Sequence, residues 1–226
     1  IIASIHNKNN LLSIILILII LPTDLILLIS NIHKFEHGAY LPILVSITIL
    51  STILIYTQGN KLLFKNLNYE KLENFIEKFE SFYSKESKIQ GKAIFMIRDI
   101  KLISPYILKA IFDFKILYQE TIFLSIQITE NPYKIEYNLI DIPEDKTKSL
   151  KVLQIKAGYL EIIDLNKIFK ELNLEPTVVF YGQENIFTNK LIFKIYSLMR
   201  KISPIIVDFY NFPLYKTIGI ITNIHI

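Results

Sequence analysis

The sequence predicts a membrane all-α hairpin of two transmembrane helices, followed by a cytosolic α/β (α+β) domain with a mixed sheet. The 226 residues have a mean hydropathy of +0.37 and are 51% apolar, which is high for a soluble protein of this length. Two long apolar runs stand near the start of the chain. From residue 59 onward, apolar residues recur at helical and strand spacings between charged residues. The predicted domains are therefore residues 1–58 and residues 59–226.

Both apolar runs are long enough to cross a lipid bilayer. Residues 11–30 contain Asp24 as their only charge, and residues 40–56 contain no charge. A helix needs roughly 20 residues to cross the hydrocarbon core of about 30 Å. Transmembrane helices are expected at about residues 11–31 and 39–57. A signal peptide is the alternative for the first run, because basic residues precede it, but no small-residue cleavage site follows.

The lysines predict the orientation of this hairpin. The connecting loop, residues 31–39, is short, and the second run is followed by four lysines, Lys61, Lys65, Lys71 and Lys78. By the positive-inside rule, the flank that carries these lysines lies in the cytoplasm. The loop that contains His33 and His37 is then expected to be external.

Helices and strands interleave in the remainder of the chain. Helices are expected at residues 69–84, 105–117, 165–172 and 191–202, the last marked by Leu191, Ile195, Leu198 and Ile202. Strands are expected at residues 93–97, 121–128, 135–139, 152–156, 177–181 and 217–226. The third and fourth strands are predicted to form an antiparallel pair joined by a polar turn. Asp164 is the predicted N-cap of the third helix, and Glu130, Glu144 and Asp145 are expected to lie in solvated turns.

The residue types exclude several kinds of functional site. The chain has no cysteine and only four histidines, which removes disulfide scaffolds and thiolate zinc sites. His33 and His37 lack a third ligand nearby, and no phosphate-binding loop or nucleophile elbow occurs. We therefore expect no catalytic residues, no metal site and no cofactor, and the chain is not predicted to be an enzyme. The net charge of +4, spread along the chain, favours an anionic membrane surface as a partner rather than nucleic acid.

Asp24 is the candidate functional residue, as part of an ion pathway. A charged side chain within a membrane span costs roughly 2.5–3.5 kcal/mol, so such residues face a bundle interior or a water path. Pro22 should loosen the helix nearby. The alternative is that Asp24 lies near the external end of the span and hydrogen-bonds a neighbouring helix. Two spans cannot enclose a solute pathway, so further helices are expected as partners. They would contact hydroxyl groups on the second span, at Ser46, Thr48, Ser51 and Thr52.

The stretch PTDLILLISNIHKFEHGAYLPIL, residues 22–44, resembles the end of the membrane region of the Kup/HAK/KT potassium uptake permeases. In that family an Asp-containing span runs into an Asn, a short loop and a His-Gly-Gly-Trp/Tyr-like turn before the last span. These places are filled here by Asp24, Asn31, His37, Gly38 and Tyr40. Ala39 replaces the second Gly.

The rest of the chain is similar to the same family in the same order. The segments that carry the resemblance are GKAIFMI (91–97), FKILYQETIFLSIQITENPY (114–133), AGYLE (157–161), FYGQE (180–184) and residues 198–226. Tyr118 and Gln119 stand where the family has a His-Glu pair, and FYGQE lacks the Arg of the family motif. The set of matches is colinear and covers nearly the whole chain.

The resemblance implies the last two of twelve spans and the cytosolic C-terminal domain of a potassium–proton symporter in the plasma (inner) membrane. It implies that the natural C-terminus is present and that ten preceding spans are missing. Potassium and protons would be the transported species, and the residues that handle them are expected in the earlier spans. The implied partners are the lipid bilayer, the remaining spans and a second copy of the cytosolic domain.

Three other interpretations of the sequence remain open. The soluble domain could be a regulatory module that senses a small nucleotide or forms a dimer, because an α/β sheet without a catalytic set suits that role. A two-span sensor or membrane-anchored enzyme would need a phosphoacceptor helix or a nucleotide loop, and the sequence has neither. A nonfunctional gene remnant is the third alternative.

Overall fold

The computed structural model describes residues 10–33, 38, 40–203 and 209–225. It divides the chain into two compact units, Ile1–Leu54 and Ile55–Ile226, and each is described by itself.

Two apolar helices dominate the first part of the chain. Helix α1 spans Asn10–His33 and continues through Pro22, and helix α2 spans Tyr40–Asn66. Helix α2 is long and apolar enough to cross a membrane, and α1 contains the apolar helical segment Leu16–Ser30. The apolar side chains described between residues 14 and 54 are almost all exposed, so protein covers little of their surface. The predicted external loop, with His37, lies outside the described residues except for Gly38.

A six-stranded mixed sheet forms the centre of the second unit, as predicted. Its strands are β2 (Ile89–Ile97), β4 (Tyr118–Thr129), β5 (Ile135–Asp141), β6 (Leu150–Gly158), β7 (Val178–Phe187) and β8 (Thr217–His225). The order across the sheet is β5-β6-β4-β2-β7-β8. All neighbouring pairs are parallel except β5 and β6, which are antiparallel and confirm the predicted pair. Strands β5 and β8 therefore form the two edges.

Helices cover both faces of this sheet. The unit contains α3 (Leu72–Lys85), α4 (Pro105–Leu108, continued by a π-helical turn Lys109–Asp113), α5 (Leu165–Glu171), α6 (Leu191–Ile202) and a 3-10 turn at Leu214–Lys216. Two short strands, β1 (Glu70–Lys71) and β3 (Leu102–Ile103), pair separately. Alternate residues of the strands point to opposite cores: Phe95, Phe123 and Phe180 pack with α3 and α4, whereas Ile94, Ile122 and Val179 pack with α5.

The end of α2 packs on the carboxyl ends of β7 and β8. Leu63 joins Ile186, Ile224 and Tyr196 in a third apolar cluster. The ring of Tyr196 lies directly against Gly59, where an added Cβ would come within 2.3 Å of the ring. A residue with a side chain at position 59 would therefore push α6 away from α2.

The ends of two elements differ clearly from the predictions, whereas one predicted helix cap is confirmed. The helix expected over residues 105–117 ends at Asp113, because Phe114 donates its backbone N–H to the Lys109 carbonyl and Lys115 takes a left-handed conformation with φ of 53°. Strand β7 extends to Phe187, beyond the predicted end at residue 181. The N-cap prediction is confirmed, because the Asp164 carboxylate accepts the N–H of Lys167 at 3.1 Å.

Asp145 is buried, and the prediction that it lies in a solvated turn is wrong. Its side chain is 4% exposed, and its carboxylate accepts the backbone N–H groups of Thr147, Ser149 and Leu150 at 2.8–2.9 Å. The Thr147 hydroxyl donates to the same carboxylate at 2.6 Å. The turn that precedes β6 is therefore closed by one side chain, whereas the neighbouring Glu144 is exposed as predicted.

Asp145→Ala is expected to lower the free energy of unfolding of the second unit by about 2–3 kcal/mol, because three backbone N–H groups lose their acceptor. Chemical denaturation of the detergent-solubilised chain, followed by circular dichroism, measures this loss. Glu144→Ala is the matched control and should change stability by less than about 0.5 kcal/mol. Equal effects of the two substitutions would contradict this account of the turn.

Candidate functional site

The strand order creates a crevice at one end of the sheet. Taken in chain order, the parallel strands β2, β4, β6, β7 and β8 have the spatial order 3-2-1-4-5, with β2 and β7 side by side. After β2 the chain adds β4, β5 and β6 on one side of β2. It then crosses through α5 and adds β7 and β8 on the other side of β2. Open α/β sheets bind ligands outside the carboxyl ends of their strands at such a switch point.

Strands β2 and β7 separate at this position. They pair only from Ala93 to Phe95 on β2, although both strands continue further. The buried Tyr106 hydroxyl donates to the Met96 carbonyl oxygen at the point of separation, with the Phe180 carbonyl oxygen 3.4 Å away. Tyr106 therefore satisfies backbone groups that have lost their neighbouring strand.

Gly182 allows β7 to pass the ring of Tyr106. A Cβ at position 182 would lie 2.5 Å from Cδ1 of Tyr106. This glycine belongs to FYGQE, one of the segments that carry the family resemblance. A close approach between strand and ring explains why a residue without a side chain occupies this position.

The separation opens a crevice of about 330 Å³ at the carboxyl ends of β2, β4 and β7. This volume is at the lower end of the range for small-molecule sites. Most of the side chains that line the crevice are aromatic or charged. The lining residues are Phe64, Tyr69, Met96, Ile97, Arg98, Ser104, Tyr106, Ile126, Tyr181, Gly182, Glu184, Arg200 and Tyr210.

Arg98 supplies a positive charge at the crevice. It directly follows β2, and its guanidinium carbon lies 3.7 Å from the centroid of the Phe64 ring near the end of α2. In the part of the chain that the structure describes, Arg98 forms no ion pair. The stacked guanidinium is held in place and still has N–H groups with which to bind an anion.

Arg200 is, by contrast, already paired. Its Nη2 lies 2.6 Å from Oε2 of Glu184 on β7, and both side chains are partly buried. The pair is close to neutral as a unit, so Arg98 determines the net charge of the crevice.

Three tyrosines provide neutral hydrogen-bonding groups. Burial, reinforced by the charge of Glu184, raises the pKa of Tyr69, and the same causes raise the pKa of Tyr106 well above its ordinary value. Burial raises the pKa of Tyr210. All three therefore stay protonated at neutral pH. The Tyr106 hydroxyl already donates to the Met96 carbonyl, so Arg98, Tyr69 and Tyr210 are the groups that suit a ligand with an anionic group and a flat ring.

Arg98 is not among the candidate residues predicted from the sequence, but the composition contains a signal for it. The chain has only two arginines, Arg98 and Arg200, against 23 lysines, and both line this crevice. Arginine differs from lysine in its planar, bidentate and stacking head group, so two arginines in a lysine-rich chain mark positions where lysine does not suffice.

The structure places the predicted candidate residues elsewhere. Asp24 lies on α1 in the first unit, with an exposed side chain. His33 ends α1, and His37 lies outside the described residues. The hydroxyls of Ser46, Thr48 and Thr52 donate to carbonyl oxygens of their own helix at 2.8 Å. Among the described residues, no group of three or more His, Asp or Glu side chains could hold a metal ion.

The chain matches two family models in succession. Residues 1–61 match the K+ potassium transporter integral membrane domain, and residues 90–226 match the K+ potassium transporter C-terminal domain. The second match covers more than half of the chain. No solved structure matches the chain.

Several curated proteins are similar to nearly the whole chain. A probable potassium transport system protein Kup from Methanosarcina barkeri is 38% identical over 217 residues, which cover 96% of this chain and 36% of that protein. The protein of the same name from Methanosarcina acetivorans is 38% identical over 88% of this chain and 32% of its own length. That from Geotalea uraniireducens is 34% identical over 89% of this chain and 33% of its own length. The chain thus spans about a third of the length of these relatives.

Proposed function

Because this chain belongs to the K+ potassium transporter family, together with the Kup proteins, we propose that it is the C-terminal part of a proton-coupled potassium uptake transporter. The observation that carries the proposal is the succession of an integral membrane domain and a transporter C-terminal domain in one chain. Potassium and protons are the transported species in this proposal, and no cofactor is required.

We propose further that α1 and α2 form a transmembrane hairpin. Their 24 and 27 residues give lengths of about 36 and 40 Å, and the hydrocarbon core is about 30 Å thick. Their exposed apolar side chains suit contact with lipid and with the remaining spans. The lysines at positions 61, 65, 71 and 78 favour a cytosolic location for the mixed-sheet domain. By its family, we propose the plasma (inner) membrane as the membrane that the hairpin spans.

Asp24 is proposed to face the remaining spans. Its side chain is exposed among exposed apolar residues of α1. A carboxylate in contact with lipid at this depth costs roughly 2.5–3.5 kcal/mol, so a position toward other helices or a water path is more favourable. In this position Asp24 contributes to the ion pathway.

A chimera tests the main proposal. The part of the Methanosarcina barkeri relative that precedes its match to this chain is joined to residues 1–226, and the product is expressed in bacteria that lack potassium uptake systems. The chimera should restore growth at limiting potassium, whereas this chain by itself should not, because two spans cannot enclose a solute pathway. The full-length relative is the positive control. If it restores growth and a membrane-inserted chimera does not, the proposal is wrong.

Asp24→Asn in the same chimera is expected to lower the rate of rubidium uptake by roughly an order of magnitude, because it removes the intramembrane charge but keeps the side-chain shape. Thr23→Val is the matched control, because the Thr23 hydroxyl donates within its own helix, to the Ile20 carbonyl at 2.7 Å. An uptake rate unchanged by Asp24→Asn would remove Asp24 from the ion pathway.

A second function is favoured by the crevice at the switch point. We propose that the domain is also a regulatory module that binds a small organic anion with a planar ring, such as a mononucleotide. The support is the accessible guanidinium of Arg98 stacked on Phe64, beside the neutral side chains of Tyr69 and Tyr210, in a crevice of about 330 Å³. Phe64 belongs to α2, the helix that contains the second predicted span, so a ligand bound in the crevice would contact that helix.

Calorimetric titration of the detergent-solubilised full chain with adenosine 5′-monophosphate tests this binding. AMP should bind at one site, and Arg98→Gln should weaken binding at least about tenfold, or about 1.4 kcal/mol. Inorganic phosphate and adenosine should each bind more weakly than AMP.

Lys109→Gln is the control, because Lys109 also lies over an aromatic ring, that of Phe114 at 5.6 Å, but outside the crevice. No binding of AMP, or equal binding by the Arg98 and Lys109 variants, would contradict the ligand proposal and leave the transport proposal untouched.

A further inference from the structure

Helix α6 presents an apolar face outward. The sequence spacing of Leu191, Ile195, Leu198 and Ile202 is that of one helix face, which in a globular domain normally packs on the core. In the structure these side chains are 74%, 42%, 58% and 76% exposed. Four large aliphatic side chains in one row are more than the isolated exposed apolar residues of an ordinary surface.

The opposite face of α6 fixes this orientation. Tyr196 packs against Gly59, and its hydroxyl donates to Oδ1 of Asn60 at 2.6 Å. One turn later, Arg200 pairs with Glu184. Rotation of α6 that buried the apolar row would break both polar contacts and remove Tyr196 from its cluster, so the row stays outward.

Lysines accompany the apolar row. Lys190, Lys194 and Lys201 are exposed, and within the described residues none of them forms an ion pair. An apolar face bordered by lysines is the pattern of helices that lie in the interface of an anionic membrane. Each lysine near such a surface contributes about 1 kcal/mol.

The position of α6 along α2 agrees with this partner. Tyr196 contacts α2 at Gly59 and Asn60, and its ring meets that of Tyr56 edge-on at 6.0 Å. The uncharged stretch of α2 ends there, since Lys61 is its first charged residue. Helix α6 is thus attached where α2 changes from apolar to charged.

We propose that α6 is an interfacial helix that lies in the headgroup region of the cytosolic leaflet, with its apolar row buried in lipid; this rests on the proposed transmembrane course of α2. A second copy of the chain is a less suitable occupant. A symmetric contact through this face would bring the same three lysines of both copies together, and like charges repel.

Tryptophan fluorescence tests the proposal, because the chain contains no tryptophan. Single-tryptophan variants of the full chain are reconstituted in vesicles of phosphatidylcholine and phosphatidylglycerol, with or without lipids brominated high on the acyl chain. Leu198→Trp should emit at shorter wavelength than a water-exposed tryptophan and lose roughly half of its intensity to the bromines, because interfacial helices reach about 5–10 Å into this region. Ile202→Trp, on the same row, should behave in the same way.

Two control variants separate the possible failures. Phe114 is exposed and lies just before the amino end of β4, whereas α2 packs at the opposite, carboxyl end of the sheet. The tryptophan of Phe114→Trp should therefore stay in water and should not be quenched. Leu50→Trp, on the apolar part of α2, should be quenched by lipids brominated deep in the chain. Quenching of Leu50→Trp without quenching of Leu198→Trp and Ile202→Trp would overturn the interfacial helix alone, and absence of quenching in all three would also overturn the span.

Two further measurements test the role of the lysines and the identity of what covers the apolar row. Changing Lys190, Lys194 and Lys201 to Glu should reduce the quenching of Leu198→Trp in anionic vesicles. A blue-shifted Leu198→Trp that bromolipids do not quench would show that protein covers the row, either a second copy or other spans, and would overturn the proposal.

Discussion

A parallel sheet requires cover on both of its faces, and this requirement governs the second unit. The middle segments of its central strands, residues 93–97 of β2 and 122–124 of β4, are apolar because both sides are covered, with Phe95 in one core and Ile94 in the other. Helices α3 and α4 cover one face and α5 covers the other. The chain can place helices on both faces only by reversing its direction across the sheet, and the reversal occurs between β2 and β7. The crevice with Arg98 thus follows from the way in which the core is covered.

Helix α2 combines an uncharged first part with a last part that packs on the mixed-sheet domain. Its first part is uncharged, whereas its last turns carry Leu63 and Phe64, which pack in the third apolar cluster and under Arg98. Tyr196 and Gly59 lock α6 onto the same helix. The groups that line the crevice and the groups that hold α6 are therefore neighbours on consecutive turns of α2, and Arg200 and Glu184 belong to both sets of contacts.

Most element types could be predicted from the sequence, but their arrangement could not. Periodicity predicted α3, α5, α6 and the six strands of the main sheet, because it depends on neighbouring residues alone; the short strands β1 and β3 were not predicted. The order of parallel strands depends on contacts far apart in sequence, and nothing local encodes the meeting of β2 with β7. The spacing of Leu191 and Ile195 indicated a helix but could not tell which face would be covered. The burial of Asp145 could not be predicted from sequence, because its partners are backbone N–H groups, which every residue type except proline supplies. The rarity of arginine in this chain is the one signal that points to Arg98.

The two edges of the sheet differ in how they meet other molecules. Strand β5 carries Glu136 and Asp141 and is flanked by Lys134, and such charges discourage a further strand from pairing there. Strand β8 has nine residues, Thr217–His225, without a single Lys, Arg, Asp or Glu. Lys216 precedes the strand, but no charged side chain lies within its row of backbone donors and acceptors, and such an edge favours strand addition between molecules. In a membrane protein, the bilayer restricts how two such edges can approach each other, which makes strand addition between molecules less favourable.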